Sequence, residues 1–174
     1  MRPEDNVIVR GENTEDTEER SAIPSINQAA FGSQDEADLV DKLRTEGVVL
    51  VSLVAEIQER LVGHILFSRM SIETTGGSVP AVALAPMAVL PRHQRRGIGG
   101  QLIRHGLNLL REQDEQIVIV VGHPNYYPRF GFSSGKALSL ESPFPQNAFM
   151  AMELSPDALE GVRGRVRYPA AFGI

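Results

Sequence analysis

A nine-residue stretch, residues 82–90, carries only apolar side chains, with no polar position alternating between them. This pattern is typical of a β-strand that is covered on both faces. Two further runs, residues 49–57 and 61–72, are rich in β-branched residues and flank a short polar segment, which predicts an antiparallel hairpin. Additional strands are predicted at residues 7–10, 116–121, 137–140 and 148–154.

Helical periodicity appears in four other segments. The clearest is residues 98–113, in which six residues form one apolar face: Ile98, Leu102, Ile103, Gly106, Leu107 and Leu110. Residues 14–30 predict either a kinked helix or two short helices, because Pro24 lies inside the segment. Ser33 and Glu36 predict a capping box for a helix that ends at Gly47, and residues 155–161 predict a short helix begun by Ser155 and Pro156.

Glycines surround the predicted start of the helix at residue 98. The first backbone N–H groups of a helix have no partner within it, and the helix dipole adds partial positive charge at that end. Gly97 and Gly99 lack a Cβ, so a ligand oxygen is able to approach the main chain closely. Four arginines add positive charge around this turn: Arg92, Arg95, Arg96 and Arg104. We therefore predict a phosphate or pyrophosphate site here.

Two well-known phosphate-binding turns do not fit these glycines. A P-loop requires Lys followed by Ser or Thr after its last glycine, and no Lys follows here. A dinucleotide fingerprint requires a third Gly or Ala where Leu102 stands, and an acidic residue about 20 residues later, where the chain has only Val and Gly. A third pattern is Gln or Arg, two residues, Gly, one residue, then Gly or Ala, and residues 94–99 match it in full. On this motif the chain resembles the GNAT acyltransferases, in which the turn is the pyrophosphate loop.

A second segment, residues 123–132, strengthens this resemblance. It is similar to the GNAT segment in which a Tyr four residues before a Gly-Phe pair faces the cofactor sulfur, and Tyr127 occupies that position here. The Tyr-Tyr-x-Arg-Phe-Gly-Phe form resembles one bacterial branch of predicted N-acetyltransferases. The resemblance covers residues 7–154 as a single GNAT domain, and residues 155–174 are predicted to be a C-terminal extension that packs on it.

The resemblance implies an α/β (α+β) GNAT fold. Its mixed, mostly antiparallel sheet of six to seven strands has helices on both faces, and strands 4 and 5 splay apart so that the pantetheine arm of acetyl-CoA lies between them. The implied pantetheine contacts are main-chain groups of Met87, Ala88 and Val89, which a bulge predicted at Pro86 would turn away from the neighbouring strand. The implied pyrophosphate contacts are Gln94, Arg95, Arg96, Gly97, Ile98, Gly99 and Gly100.

Tyr127 is our candidate general acid, which protonates the leaving thiolate or donates a hydrogen bond to the sulfur. The adjacent Tyr126 is a less favoured candidate for the same role. Phe130 and Phe132 are expected in the core. The connection near residues 31–35 is expected to flank the acceptor cleft. Many relatives place a Glu or His base before the glycine turn, but residues 79–90 contain neither. Alternatives for the base are a water relay or one of four side chains: Glu56, His64, Glu73 and His123.

Composition narrows the function further. The 174 residues suit one domain, and the absence of cysteine excludes disulfides, thiolate metal sites and a cysteine nucleophile. No metal-ligand cluster, signal peptide or membrane-spanning run is visible, so we expect a cytoplasmic protein without a metal. A net charge of −5 argues against bulk nucleic-acid binding and is compatible with a cationic amine. The alternating Arg163, Arg165 and Arg167 predict a charged edge strand rather than a polyanion site.

These observations favour an N-acetyltransferase that uses acetyl-CoA as co-substrate and transfers the acetyl group directly to a primary amine in a ternary complex. The acceptor is a small-molecule or peptide amine whose identity the sequence does not reveal. One rival is a non-catalytic acyl-CoA-binding module of the same fold, and another is a nucleic-acid-binding protein that uses the arginines. The sequence leaves a homodimer open.

Overall fold

The computed structural model describes residues 6–174 of the chain. It contains eight strands: β1 (Ile8–Gly11), β2 (Val49–Ile57), β3 (Arg60–Thr74), β4 (Gly77–Val89), β5 (Ile117–Val121), β6 (Leu140–Glu141), β7 (Phe149–Glu153) and β8 (Gly164–Arg167). It also contains three α-helices: α1 (Thr17–Phe31), α2 (Asp35–Glu46) and α3 (Ile98–Glu112).

The strands form one mixed sheet in the order β1-β2-β3-β4-β5-β7, in which β4 and β5 are parallel and their other neighbours antiparallel. The predicted mixed, mostly antiparallel sheet is confirmed. Its eight strands exceed the expected six to seven because the arginine-bearing segment forms β8, which pairs with both β3 and β6. β8 therefore lies between two strands and is not the predicted free edge.

The predicted splay is confirmed by the short pairing between β4 and β5. Only two parallel pairs join them, Val82 with Val118 and Ala83 with Ile119, although β4 continues to Val89. The register between β3 and β4 shifts near the Ala85–Pro86 peptide bond, which is cis. This shift confirms the bulge predicted at Pro86. Beyond it, one edge of β4 faces a gap where a sheet would normally have its next strand.

Helices cover both faces of the sheet, as predicted. On one face, the apolar side of α3 packs in a core cluster with side chains of the central strands, including Phe67 and Val118. Gly106 lets the helix approach this closely, because a Cβ there would lie 2.2 Å from the Phe67 ring. On the other face, α1 and α2 pack on the sheet through Ile23 and Leu43. Each large apolar side chain buried in this way contributes about 1.5–3 kcal/mol.

The first two helices differ in detail from the prediction. α1 is one continuous helix despite Pro24, and the Asp16 carboxylate caps it by accepting hydrogen bonds from two first-turn N–H groups. The capping box predicted for α2 is wrong, since Gln34 occupies the cap position. Ser33 lies one residue earlier, where its hydroxyl oxygen accepts from the N–H of Asp35 and contacts the Glu36 carboxylate.

Two predictions near the C-terminus are also wrong. The strand expected at residues 137–140 begins in a short 3-10 helix, Gly135–Ala137, and continues as a turn, and only Leu140–Glu141 joins the sheet. Residues 155–161 form turns instead of a helix. Asp157 has a φ of 62°, in the left-handed region, and this conformation interrupts a right-handed helix.

The C-terminal residues contact the rest of the chain through apolar side chains. Leu159 and Val166 are buried in a core cluster on which Tyr168 and Phe172 also pack. The predicted boundary at residue 154, between the domain and its C-terminal extension, stays a prediction. No helix within residues 6–174 is long and apolar enough to cross a lipid bilayer.

Candidate active site

A cavity of about 890 Å³ lies between the splayed part of β4, the first turn of α3, the segment after β5 and the end of α1. Its volume is typical of ligand-binding pockets. It brings together Tyr127 and nine of the ten predicted cofactor contacts: Met87, Ala88, Val89, Gln94, Arg95, Gly97, Ile98, Gly99 and Gly100. The tenth, Arg96, does not line this cavity but lines a neighbouring pocket.

The start of α3 presents unpaired backbone donors to this cavity. Gly97 occupies the cap position with a φ of 80°, and no side chain caps the helix. The first hydrogen bond across this cap runs from the N–H of Gln101 to the Gly97 carbonyl, at 3.1 Å. The N–H groups of Ile98, Gly99 and Gly100 precede it and have no carbonyl within the helix to bind. Such a set of donors is suited to an anion.

The side chain of Gln94 holds this turn against β4. Its Nε2 donates to the carbonyl oxygen of Val89 at 2.9 Å, so the last residue of the strand and the glycine turn are fixed to each other. Gln94 occupies the first position of the glycine motif, and the structure gives its side chain a role there: it binds the main chain of β4. A direct contact between Gln94 and a ligand stays a prediction.

The main chain of β4 is directed alternately to β3 and to the gap. The N–H of Leu90 donates to the carbonyl of Val62, and His64 stands opposite Ala88 in the same antiparallel ladder. Because bonded pairs alternate in such a ladder, the main-chain groups of Ala88 face β3. Those of Met87 and Val89 face the gap. Ala88 thus lines the cavity with its side chain, which differs from the predicted main-chain contact.

The cavity wall is basic and aromatic, and none of the described residues that line it is acidic. The guanidinium of Arg104 lies 4.9 Å from the centre of the Phe130 ring, and that of Arg129 lies 5.7 Å from the centre of the Tyr126 ring. Phe132 is buried with an exposure of 2%, as expected, whereas Phe130 is only partly buried: it packs against the core cluster and also lines the cavity.

Sequence reasoning did not single out several lining residues. Arg129 and Phe130 belong to the motif that contains Tyr127, so the motif indicates that they lie near the cavity. Ala30 and Phe31, at the end of α1, were indicated only by position near the expected acceptor cleft. Both residues line the cavity. No motif marks them.

The two adjacent tyrosines point to different parts of the cavity. Their rings meet edge to face with centres 5.1 Å apart. The Tyr126 hydroxyl lies at the start of α3, 2.8 Å from where a Cβ on Gly99 would stand. Tyr127 packs over Gly122 at the end of β5, where a Cβ would be 2.3 Å from its ring. Tyr127 therefore lies beside the end of β5, whereas the Tyr126 hydroxyl lies beside the glycine turn.

Residues 13–135 match the family model for the acetyltransferase (GNAT) domain, which is more than half of the chain. The chain belongs to the GNAT acetyltransferase family. It is 42% identical over 119 residues to the uncharacterized N-acetyltransferase YjhQ of Escherichia coli K12, covering 67% of this chain and 66% of that protein. It is 34% identical over 153 residues to the uncharacterized N-acetyltransferase YhbS of the same strain, covering 86% and 90%.

Solved structures agree with this family assignment. The complex of Escherichia coli YhbS with CoA matches this GNAT domain with a TM-score of 0.89 and 32% identity, covering 100% of this chain and 96% of that chain. A GNAT acetyltransferase from Brucella melitensis in complex with acetyl-CoA matches with a TM-score of 0.79 and 34% identity, covering 96% and 98%. The GNAT fold and the acetyltransferase class predicted from sequence are confirmed.

Burial keeps both tyrosines of this GNAT domain protonated. It raises the pKa of Tyr127 to about 12, and the neighbouring Tyr126 adds to the rise. Burial also raises the pKa of Tyr126, against the opposing charges of Arg129 and Arg104. At neutral pH both hydroxyls are therefore hydrogen-bond donors.

The four side chains considered as bases lie in different surroundings, and only His123 among them lines the cavity. His64 is fully buried, and burial lowers its pKa to about 3, with a further contribution from the charge of Arg44. Glu56 is paired with Arg10 at 3.1 Å. Glu73 stands opposite Ser78 near the end of β3 that is far from the cavity. Within residues 6–174, no cluster of three or more His, Asp or Glu side chains is placed to hold a metal ion.

Proposed function

We propose that this GNAT domain transfers the acetyl group of acetyl-CoA to a primary amine within a ternary complex. The observation that carries the proposal is one continuous cavity that contains the free amides of α3, the gap beside β4 and the side chain of Tyr127. The CoA and acetyl-CoA complexes of the two similar structures support acetyl-CoA as the co-substrate.

The cofactor is held mainly by backbone groups. The N–H groups of Ile98, Gly99 and Gly100 bind the diphosphate, with Arg95 adding positive charge. The pantetheine arm pairs with the gap-facing main chain of Met87 and Val89 in the place of a strand. Because both ends of the arm are fixed, the position of the thioester is also fixed, which lowers the entropic barrier to reaction.

In the chemical step the neutral amine attacks the thioester carbon, and the carbonyl oxygen gains negative charge. A gap-facing N–H of β4 that the pantetheine arm leaves free stabilises that charge. When the C–S bond breaks, the sulfur leaves as a thiolate to which the Tyr127 hydroxyl donates a hydrogen bond. An ordinary thiol has a pKa of about 8.5, well below the pKa of about 12 of Tyr127. The proton therefore stays on the tyrosine oxygen, and Tyr127 acts as a hydrogen-bond donor.

The amine must lose a proton during the reaction. His123, the one base candidate on the cavity wall, or a water molecule at the cavity mouth takes that proton and returns it to the thiolate through solvent. Replacement of His123 by Gln distinguishes the two. Loss of the acidic limb of the pH–rate profile assigns the proton to His123, and an unchanged profile assigns it to water.

The proposal is tested by two measurements on the same preparation. Calorimetry measures acetyl-CoA binding, and a thiol-release assay then measures CoA formation over a panel of small-molecule and peptide amines. We expect binding, and release that depends on the amine. Binding without release for any amine would favour the rival acyl-CoA-binding module. Three further points stay predictions: that the acceptor is a small-molecule or peptide amine, that the protein forms a homodimer, and that it is located in the cytoplasm.

A further inference from the structure

The arginines of the cavity lie together at one of its ends. Arg95 belongs to the glycine turn, and Arg104 lies on α3 itself. The guanidinium of Arg129 lies over the ring of Tyr126, whose hydroxyl reaches the start of α3. The diphosphate of the cofactor is proposed to bind at this end, so its negative charge faces these arginines.

The other end of the cavity lies on the opposite side of the sheet, as the direction of Ala88 shows. A Cβ on Gly63 of β3 would lie 3.1 Å from the Leu102 side chain, so Gly63 faces α3. The next residue, His64, faces the side covered by α1 and α2, because side chains alternate along a strand. Ala88 stands opposite His64 in the ladder, and opposite residues share a face. The side chain of Ala88 therefore lines the cavity on the α1 side.

Three apolar residues line the cavity on this side: Ala30 and Phe31 at the end of α1, and Ala88 of β4. We call them the α1 wall. Phe31 is 45% exposed, so its ring is available to a ligand. None of the described residues that line the cavity is acidic, so a positive charge held against the α1 wall would have no carboxylate partner.

The main chain at the end of α1 supplies hydrogen-bond acceptors beside this wall. The last carbonyl groups of a helix have no partner within it, and the helix dipole places partial negative charge there. The N–H of Gly32 donates to the carbonyl of Gln28 at 2.8 Å. The carbonyl oxygens of Ala29, Ala30 and Phe31 accept no hydrogen bond from any described residue, and the last turn contains no basic side chain. These carbonyls are suited to the N–H groups of an amine.

We propose that the acceptor is a primary monoamine whose apolar, aromatic body carries no second charge. This inference rests on the proposed function and names the class of its acceptor. The amino group donates to the free carbonyls at the end of α1, and the body of the molecule packs on Phe31. The nitrogen forms the amide bond as the C–S bond breaks, and the proton that it loses reaches the thiolate through solvent. The products are the N-acetyl amine and CoA.

Two other classes of acceptor fit the α1 wall less well. A diamine would have to hold its second ammonium group in a cavity whose described wall offers arginines but no carboxylate. A free amino acid would bring its carboxylate toward the negative end of the α1 dipole. The experiment therefore includes both classes.

The first measurement compares pairs of amines that differ by one charged group. A thiol-release assay at saturating acetyl-CoA gives kcat/KM for pentylamine and for cadaverine, which has a second amino group. It also gives kcat/KM for phenethylamine and for free phenylalanine, which has an added carboxylate. We expect the amine with the uncharged body to be favoured about tenfold or more in each pair, because an unpaired charge is costly to bury. Phenethylamine should exceed pentylamine by about threefold to tenfold through contact with an aromatic ring.

The second measurement removes the ring of the α1 wall. Phe31→Ala should lower kcat/KM for phenethylamine about tenfold, because the aromatic contact is lost, and should leave the Kd for acetyl-CoA unchanged. Leu138→Ala is the matched control, because Leu138 is an apolar residue with an exposure of 65% that does not line the cavity. It should change neither quantity.

The third measurement adds a carboxylate to the α1 wall. Ala30→Asp should raise kcat/KM for cadaverine relative to pentylamine by about tenfold, since the second ammonium group gains a charge-assisted hydrogen bond. Ala29→Asp places the same charge one residue earlier, at an exposed position that does not line the cavity. It should change this ratio less than about twofold, because solvent and salt screen an exposed charge.

Three results would overturn the inference. A larger kcat/KM for cadaverine or phenylalanine than for its partner would assign the acceptor to a charged class. Equal effects of Phe31→Ala and Leu138→Ala would remove Phe31 from the acceptor site. Equal ratios in Ala30→Asp and Ala29→Asp would show that the acceptor binds away from the α1 wall. Each of these results leaves the proposed function intact, whereas binding of acetyl-CoA without CoA release for any amine would overturn both.

Discussion

The arginines around the cavity and those around the start of α1 have opposite surroundings. Near α1, Arg10 contacts the carboxylates of both Glu19 and Glu56, and Arg44 donates to Glu12 at 2.6 Å. Around the cavity, no acidic residue of the described chain lines the wall that contains Arg95. The arginines near α1, which have carboxylate partners, hold elements of the protein together. The arginines that line the cavity face no acidic side chain on its wall, so their charge is available to a ligand.

We call the arginines and carboxylates near α1 (Arg10, Arg44, Glu12, Glu19 and Glu56) the paired region. From Glu12, a chain of hydrogen bonds leads from this region into the protein interior. The Ser52 hydroxyl donates to the Glu12 carboxylate at 2.5 Å, since a carboxylate only accepts. A hydroxyl has a single proton, so Ser52 must accept from the Nε2–H of His64, 2.9 Å away. The tautomer of His64 is thereby fixed. A buried histidine in a sheet next to a catalytic cavity is thus explained by its links to structural groups, and burial alone does not identify a catalytic residue.

The largest effect is expected from breaking the paired region at Glu12, whose side chain is 2% exposed. Glu12→Ala removes the partner of both Arg44 and Ser52 and leaves them without a carboxylate. Removal of one member of a buried charge pair costs about 3–5 kcal/mol. We expect urea unfolding to show a loss of that size, and calorimetry on the folded variant to show an unchanged Kd for acetyl-CoA.

Glu15 provides the matched control for this measurement. It lies in the same connection before α1 but is exposed, and within residues 6–174 only its backbone N–H makes a hydrogen bond, which it donates to the Asn13 side chain. Glu15→Ala should change the free energy of unfolding by less than about 0.5 kcal/mol. Equal losses for the two variants would contradict the structural role of the Glu12 contacts.

On the cavity side, the largest effect is expected at Tyr127. Tyr127→Phe removes the hydroxyl that we propose stabilises the leaving sulfur, and it keeps the ring that packs over Gly122. We expect kcat to fall about 100-fold, at the lower end of the range for acid–base groups, with the Kd for acetyl-CoA changed less than twofold. Tyr168→Phe is the control, because Tyr168 packs with Phe144 and Phe172, away from the cavity. An unchanged kcat in Tyr127→Phe would remove this residue from the mechanism.

The glycine turn is probed by two substitutions that impose the same backbone strain. Gly97 and Gly47 have φ values of 80° and 75°, and a Cβ on either would meet no heavy atom within 4 Å. Replacement by Ala should therefore cost each variant about 1–2 kcal/mol of stability, measured by urea unfolding. Only Gly97→Ala should also weaken acetyl-CoA binding, by about tenfold, because only Gly97 lies at the free amides of α3. Equal affinities in the two variants would refute the assignment of the turn.

Gly99 is a less suitable probe than the sequence predicts. From the sequence alone, a bulky residue at Gly99 is predicted to block the ligand while leaving the fold intact. In the structure, a Cβ at Gly99 would lie 2.8 Å from the Tyr126 hydroxyl and 3.3 Å from the Met87 side chain. Gly99→Val therefore displaces a neighbouring side chain as well as any ligand. Gly97 separates these two effects, and only the structure reveals the difference.

Features that depend on contiguous residues could be predicted from the sequence. The strand pattern, the helix at α3, the bulge at Pro86 and the glycine turn are all local, and the resemblance ordered them into a fold. The pocket lined by Arg60, Arg92 and Arg96 could not be predicted, since Arg60 and Arg92 are far apart in the chain and only the fold places them around one pocket. The main-chain direction of Ala88 was likewise hidden, because it depends on the register with β3.

The smallest effect is expected from His64, through pH. Its pKa is about 3 in the folded protein against 6.5 for the ordinary side chain, so the unfolded chain takes up a proton first as the pH falls. Stability is therefore lost progressively from about pH 6.5 down to about pH 3. Between neutral pH and a pH one unit below 6.5, the loss due to this residue is about 1 kcal/mol.

This loss is measured as a difference between variants, because other groups also titrate in the same range. Urea unfolding of the unmodified protein and of His64→Gln at the two pH values should show a pH dependence about 1 kcal/mol smaller in the variant. His105→Gln, at an exposed position on α3, should keep the full dependence. If His64→Gln also kept it, the imidazole would be protonated in the folded protein. The hydrogen-bond chain from Glu12 through Ser52 would then end in a buried cation, and the contacts with Glu12 would hold a charge as well as a tautomer.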